Sequence, residues 1–376
     1  MSNTNSKILE AAQSLAAAGA KISGSRLTIG FDGFVDQILH VVETRSTWKN
    51  YTRVNHLQSF ANRISAAAGK SANIELVPLQ EKMGGNGPLM SMAAVGMGTQ
   101  VTCIGLMGFP ILSPVFEPLH EKAELFSIGN PGSTDALEFV DGKIMLGKIH
   151  TIREMCWPRI LEIIGFEKFK ELILQADMVG CTNWTMLTEM GEILDQIMAM
   201  VPPKSETLFF FDLADPEKRS RQDLKRVLGQ ISTLGQKARC LLGLNLRESE
   251  QVCHVLGLTL EPKENTETLG LVSGQIADAL KIHGVVIHSI RCSGATIQGK
   301  SAGLEGPFCA SPKLSTGAGD HFNGGFVCGV LGGLDVQGAL YCAIGTSGWY
   351  VRNGHSPSQG DVLSFLQKWG RGESLD

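Results

Sequence analysis

Short, largely apolar runs separated by amphipathic stretches set the pattern of this chain. The runs Arg26–Gly30, Gln100–Gly105, Met178–Cys181, Leu208–Phe211, Leu241–Leu244 and Gly284–Ser289 are too short for helices and predict buried strands. Between them, Phe166–Leu174 and Glu192–Met200 carry apolar residues at helical spacing. Strand-then-helix alternation implies a mainly parallel sheet covered by helices on both faces. Ile8, Leu9, Ala12 and Leu15 predict a short amphipathic helix near the N-terminus, and Phe60–Ala68 reads as helical. Val41–Thr44 and Ile74–Val77 predict further strands. Ala136–Val140 and Lys143–Leu146, around Asp141-Gly142, predict a hairpin, a small antiparallel piece in the βα pattern. Ala295–Ile297 and Gly303–Glu305 read as short strands flanking a Gly-rich turn, and the chain is expected to close on the helix Ala339–Tyr350.

Composition narrows the picture. A length of 376 residues allows one large α/β domain or two ordinary ones, and a hydrophobic content of 43% supports a sizeable core. No repeat and no long Pro- or Ser-rich linker is visible, so a single α/β domain over 1–376 is expected. The net charge of −4 and the lack of a long basic run give nucleic-acid binding no support. No apolar stretch approaches the roughly 18 residues of a membrane span, and the N-terminus lacks the features of a signal peptide. Nine dispersed cysteines, none in Cys-x-x-Cys, read as reduced thiols of a cytoplasmic protein.

The candidate chemistry centres on Lys313–Phe326. Gly317-Ala318-Gly319 frees the backbone to turn tightly into Asp320 and an apolar helix. First-turn N–H groups and the positive helix end suit an anion, and Asp320 stands beside it. An anion cradle next to a carboxylate is what phosphoryl transfer to a hydroxyl requires. Gly-x-Gly at a helix start is also an ordinary turn, and the segment fits neither the dinucleotide fingerprint nor the P-loop.

Other strand ends add candidates. Asp32 and Asp36 follow the first strand, where open α/β sheets bind ligands. Asp36 is the favoured partner for sugar hydroxyls, with Asp32 beside it, although Asp32-Gly33 is also a good turn pair. Gly84-Gly85-Asn86 before a helix allows close approach to the backbone and offers both donor and acceptor. Asn245 and Glu248, three apart after a strand, can share one helical turn and hold water around a hard cation; Glu248 equally reads as a solvated helix start. Gly299-x-Ser301-x-Gly303 matches a hydrolase elbow in the wrong context, between short strands.

These pieces together resemble the ribokinase-like carbohydrate kinases, the PfkB family. Thr316-Gly317-Ala318-Gly319-Asp320-x-Phe322 with Gly324-Gly325 resembles the family's C-terminal signature. Gly84-Gly85-Asn86 resembles its sugar-site motif, Asn245-x-x-Glu248 its magnesium and phosphate motif, and Asp36 its first sugar-binding acid. The motifs fall in order between Leu27 and His355. The resemblance implies a three-layer fold with a small β lid, whose segments would be 37–82 and 133–150. It implies ATP and Mg²⁺, leaving room for a monovalent cation and for a homodimer. Asp320 would be the base, and the amides of Gly317, Ala318 and Gly319 the anion hole. Asn245 and Glu248 would hold Mg²⁺ through water. Ser289, Gly294 and the final helix near Arg352-Asn353-Gly354 would line the nucleotide pocket, with Arg291 where the family often has Gly and with Thr316 close by.

The implied activity is phosphorylation of a primary hydroxyl on a sugar-like acceptor, with Asp320 only partly desolvated. A nucleoside kinase and a non-catalytic sugar- or nucleotide-sensing protein are the rivals. A phosphofructokinase would need basic groups at the acceptor's far end, for which Arg45, Arg53, Lys82 and Arg153 are the candidates.

Overall fold

The computed structural model describes residues 3–375. Its strands, numbered along the chain, form two sheets. The central sheet contains β1 (Arg26–Gly30), β5 (Gln100–Gly105), β6 (Glu124–Ser127), β9 (Met178–Cys181), β10 (Ser205–Asp212), β11 (Ala238–Asn245), β12 (Gly284–His288), β13 (Cys292–Ile297) and β14 (Lys300–Glu305). Their order is β14-β13-β12-β11-β10-β9-β1-β5-β6. The pairs β12-β13 and β13-β14 are antiparallel and the rest parallel. The small sheet contains β2 (Phe34–Arg45), β3 (Tyr51–Arg53), β4 (Leu76–Gly84), β7 (Gly132–Phe139) and β8 (Gly142–Lys148). It is the small β lid, and its strands fall within 34–84 and 132–148.

The central strands read as near-continuous apolar runs because both faces are covered. Phe209 and Phe211 of β10 enter one core, with Phe169, Ile193, Val227 and Ile276 from covering helices. Leu208 and Phe210 enter the other, with Ile8, Leu15, Phe326 and Tyr341. The lid has its own small core of Leu39, Val41, Val54, Phe60, Leu137 and Phe139. From β1 the chain builds outward through β5 and β6, then returns to add β9 on the other side of β1. The crevice at the C-terminal ends of β1 and β9 is therefore a topological switch point.

Several elements differ from expectation. A further helix, Gln359–Arg371, follows Val336–Asn353, so the chain does not close on Ala339–Tyr350. Val362, Phe365 and Leu366 fall at helical spacing and are buried, and Ser358 and Asp361 form a capping box at its start. The strand expected at Ile74–Val77 begins at Leu76 and runs to Gly84, through residues largely exposed or half-exposed that carry no apolar signature. The helix read over Phe60–Ala68 spans Leu57–Ser65. Gly299–Gly303 lies in the β13-β14 hairpin rather than in a nucleophile elbow.

Gly324 and Gly325 serve packing. A Cβ on Gly324 would stand 2.8 Å from that of Ala93, and one on Gly325 2.5 Å from Thr346 Oγ1. Their absence lets the helix Ala318–Gly332 lie close against Asn86–Gly96 and Val336–Asn353.

Candidate active site

The glycine turn forms as the sequence suggests. Gly317 is the N-cap of helix Ala318–Gly332 with φ of 88°, a left-handed conformation that favours glycine. A Cβ there would also meet Tyr350 Oη at 2.9 Å. Three contacts fix the loop. The Tyr350 hydroxyl donates to Thr316 O (2.8 Å), His321 Nδ1 lies 2.7 Å from Gly317 O, and His321 Nε2 lies 2.7 Å from Ser356 Oγ. Burial pushes the His321 pKa down to about 4, so the ring is neutral and its Nδ1–H donates to the carbonyl. The ring stacks on Tyr350 at 3.6 Å. The Ala318 N–H donates to Ser315 O (3.2 Å). That bond occupies one of the three amides of the expected anion hole.

Asp320 sits in the first turn and is buried, not partly desolvated as expected. Burial, then the charge of Asp32, raise its pKa to about 8, against a hydrogen bond from Asn86 Nδ2 to Oδ1 (2.8 Å).

Asn86 ties this loop to the strand ends. Its backbone N–H donates to Asp32 Oδ2 (2.8 Å), and Gly87 N–H donates to Asp32 Oδ1 (2.7 Å). Asn183 Nδ2 donates to Asp32 Oδ2 as well (2.7 Å), while the Thr182 hydroxyl donates to Gly30 O (2.9 Å) and lies 3.4 Å from Asp32 Oδ1. A carboxylate offers about four lone-pair sites, and three protein donors occupy Asp32. Two of them are amides at the start of helix Asn86–Gly96, so Asp32 caps that helix from outside. Its pKa is raised by burial. Asp36 lies on β2 against Gly84, where a Cβ would come within 2.7 Å of its Oδ2. Thr134 donates to Asp36, with Lys82 and Lys143 as charged neighbours, while burial raises its pKa. Gly85 takes φ of 98° between them. The early acids, the paired glycines and Asp320 thus share one locality.

Asn245 and Glu248 form a capping box on helix Leu246–Leu256. Asn245 Oδ1 accepts from Glu248 N–H (2.9 Å), while Glu248 Oε2 accepts from Asn245 N–H (2.8 Å) and Oε1 from Asp215 N–H (2.8 Å). Glu248 is buried, not a solvated helix start. Asp212, at the end of β10, is buried nearby and accepts from Asn323 Nδ2 (2.8 Å) and Ala214 N–H (2.9 Å). Burial first, then the charges of Glu248 and Asp320, push Asp212 well up. Such crowding of buried carboxylates suits a hard cation. Among the described residues no group of three or more His, Cys, Asp or Glu side chains is placed to hold a metal ion.

Beside this cluster lies a cavity of ≈ 800 Å³, large enough for a nucleotide. Asn245, Ser289, Arg291, Ala318 and Gly319 contribute to its wall. Gly294 and Asn353 do not, contrary to expectation. Gly294 lies against Leu269 and Gly270 of the helix behind it, and Asn353 Nδ2 turns back to Trp349 O (2.9 Å). Arg352 lines the cavity instead and ties Pro307 O (3.0 Å) and Phe308 O (3.1 Å) to the helix. Arg291 stacks its guanidinium over Phe308 at 4.1 Å.

Sequence reasoning passed over Asp212, Asn183 and His321. Asp212 and Asn183 follow central strands, so the rule that found Asp32 and Asp36 would have reached them. Nothing local marks His321.

Three comparisons bear on this arrangement. The sequence model of a family described as prokaryotic ketohexokinase matches residues 2–369. The chain is similar to a ketohexokinase of Haloferax volcanii, 27% identical over 351 residues, 92% of each chain. Its fold is similar to that of Arabidopsis thaliana ribokinase complexed with ribose and ATP, with TM-score 0.62, 16% identity, and 92% of this chain and 99% of the other covered. A carbohydrate kinase from Agrobacterium tumefaciens gives TM-score 0.62 at 16% identity, over 91% of this chain and 97% of its own.

Proposed function

The chain belongs to the prokaryotic ketohexokinase family, within the ribokinase-like carbohydrate kinases, and on that premise we propose that its acceptor is a ketohexose phosphorylated at a primary hydroxyl. The protein is a carbohydrate kinase that phosphorylates a sugar hydroxyl with ATP. The observation that carries the residue assignment is the Asn86 bridge, which follows the Gly84-Gly85 pair and joins Asp32 to Asp320.

Asp320 takes the proton of the attacking hydroxyl. As the sugar oxygen bonds to the γ-phosphorus, the bond from phosphorus to the bridging oxygen breaks and ADP leaves. First-turn amides of helix Ala318–Gly332 hold the transferring group, and Asp36 with the Gly84-Gly85 backbone orients the sugar. Glu248 and Asn245 would hold Mg²⁺ through water, beside Asp212, and the ion would offset the charge of the phosphates. Nine free thiols among the described residues fit a reducing, cytoplasmic setting.

Coupled ADP release over a panel of ketohexoses, aldoses and nucleosides tests the reading. Ketohexoses should give the highest kcat/KM, and Asp320→Asn should lower kcat about 10²–10⁴-fold with ATP still bound. An unchanged rate in that variant would remove Asp320 from its role, and a nucleoside preference would replace the acceptor.

A further inference from the structure

A lysine of the lid reaches the residue that precedes the glycine turn. Lys143 lies on β8, yet its Nζ donates to Thr316 Oγ1 (3.3 Å). Thr316 directly precedes Gly317, and its carbonyl is held by the Tyr350 hydroxyl (2.8 Å). Lys82, on β4, approaches the same place, half-buried with its pKa lowered by burial and then by the Lys143 charge. The anions facing this pair are Asp36 and Glu138. Lys82 is the stronger charge neighbour of Asp36. Lys143 is thus a half-buried ammonium turned toward a neutral hydroxyl at the edge of an anion site. A compact ammonium gains more from a phosphate oxygen than from a hydroxyl.

We propose that Lys143 is a catalytic residue of the phosphoryl transfer, its ammonium passing from Thr316 Oγ1 to the γ-phosphoryl when ATP binds. This rests on the assignment of the glycine loop as the phosphoryl site. Lys143 donates hydrogen bonds to the equatorial oxygens while phosphorus passes from the bridging oxygen to the sugar oxygen, and it transfers no proton. Because the lysine belongs to the lid hairpin, the group is complete only with the hairpin over the loop.

The test uses the whole protein with Lys143→Met, Lys143→Arg and the control Lys148→Met, on the same strand but paired with Asp135 (2.8 Å). Two readouts are taken: steady-state kinetics on the best acceptor, and calorimetric affinity for ATP against ADP. Lys143→Met should lower kcat about 10²–10³-fold, as loss of a transition-state donor does, with the sugar KM little changed. It should also lose about tenfold or more of the affinity for ATP relative to ADP, the contribution of one charge-assisted hydrogen bond. Lys143→Arg should recover part of both, and Lys148→Met should match the wild type. A wild-type kcat in Lys143→Met, or a rise confined to the sugar KM, overturns the proposal and leaves Lys143 as a lid latch. If the wild type phosphorylated no acceptor, the kinase reading would fail separately. The ATP-to-ADP ratio would still decide Lys143: a ratio unchanged by Lys143→Met overturns its contact with the phosphoryl, and a lost ratio supports it.

Discussion

At the scale of single residues, the site is a problem in charge. Asp32, Asp36, Asp212, Glu248 and Asp320 are all buried, and burial is the largest force raising each carboxyl. A carboxyl raised in the folded protein binds its proton more tightly there than in the unfolded chain. Its contribution to stability is whole below the unfolded value of 3.8 and is lost as pH climbs through about 8 for Asp320. Asp320→Asn removes the ionised form and can still accept from Asn86 through its amide oxygen. The variant should therefore melt above the wild type at pH 8–9, with the gap closing toward pH 4. Thermal unfolding across that range checks this, and a gap independent of pH would contradict it. These residues were only partly legible in the sequence. Asp320, Asn86 and Glu248 announce themselves through glycines and helix starts. Whether Asp32 faces a sugar or a helix depends on Asn183, Thr182 and Gly87, which lie far away along the chain.

At the scale of elements, the central strands were the easiest to read. Both faces of β1, β5, β9, β10, β11 and β12 are covered, so their apolar runs stand out locally. The lid strands were harder, because β4 and much of β8 face water and follow no hydrophobic period. The glycine pair in the helix Ala318–Gly332 is an element-scale device that a motif alone attributes to chemistry. Gly325→Ala would press its Cβ on Thr346 Oγ1 at 2.5 Å and on the Ala343 backbone at 3.0 Å. Overpacking of this kind costs about 1–3 kcal/mol. Urea unfolding should report a loss of that size, with the KM for sugar little changed if the two helices part without moving the loop.

At the scale of the whole molecule, two bodies of unequal core meet over one crevice. Alternation alone placed the candidate acids at the C-terminal ends of the strands, whereas the strand-order reversal at β1 that marks the crevice is visible only in the folded sheet. How the lid lies across it depends on contacts such as Lys143 to Thr316, between residues 173 positions apart, which no local pattern encodes. The proton on Asp320 gives this arrangement a further property. Burial holds the proposed base toward its protonated form near neutrality, so a stray water beside bound ATP would meet a carboxyl that cannot take its proton. A sugar hydroxyl donating to the carboxyl favours its ionised form, and only then is the base armed. Idle hydrolysis of ATP should accordingly be slow at pH 7 without sugar and quicken as pH passes about 8, a leak that phosphate release would measure. On the proposed assignment the acid would thus be cocked by its own customer, which would keep the fuel from burning in an empty chamber.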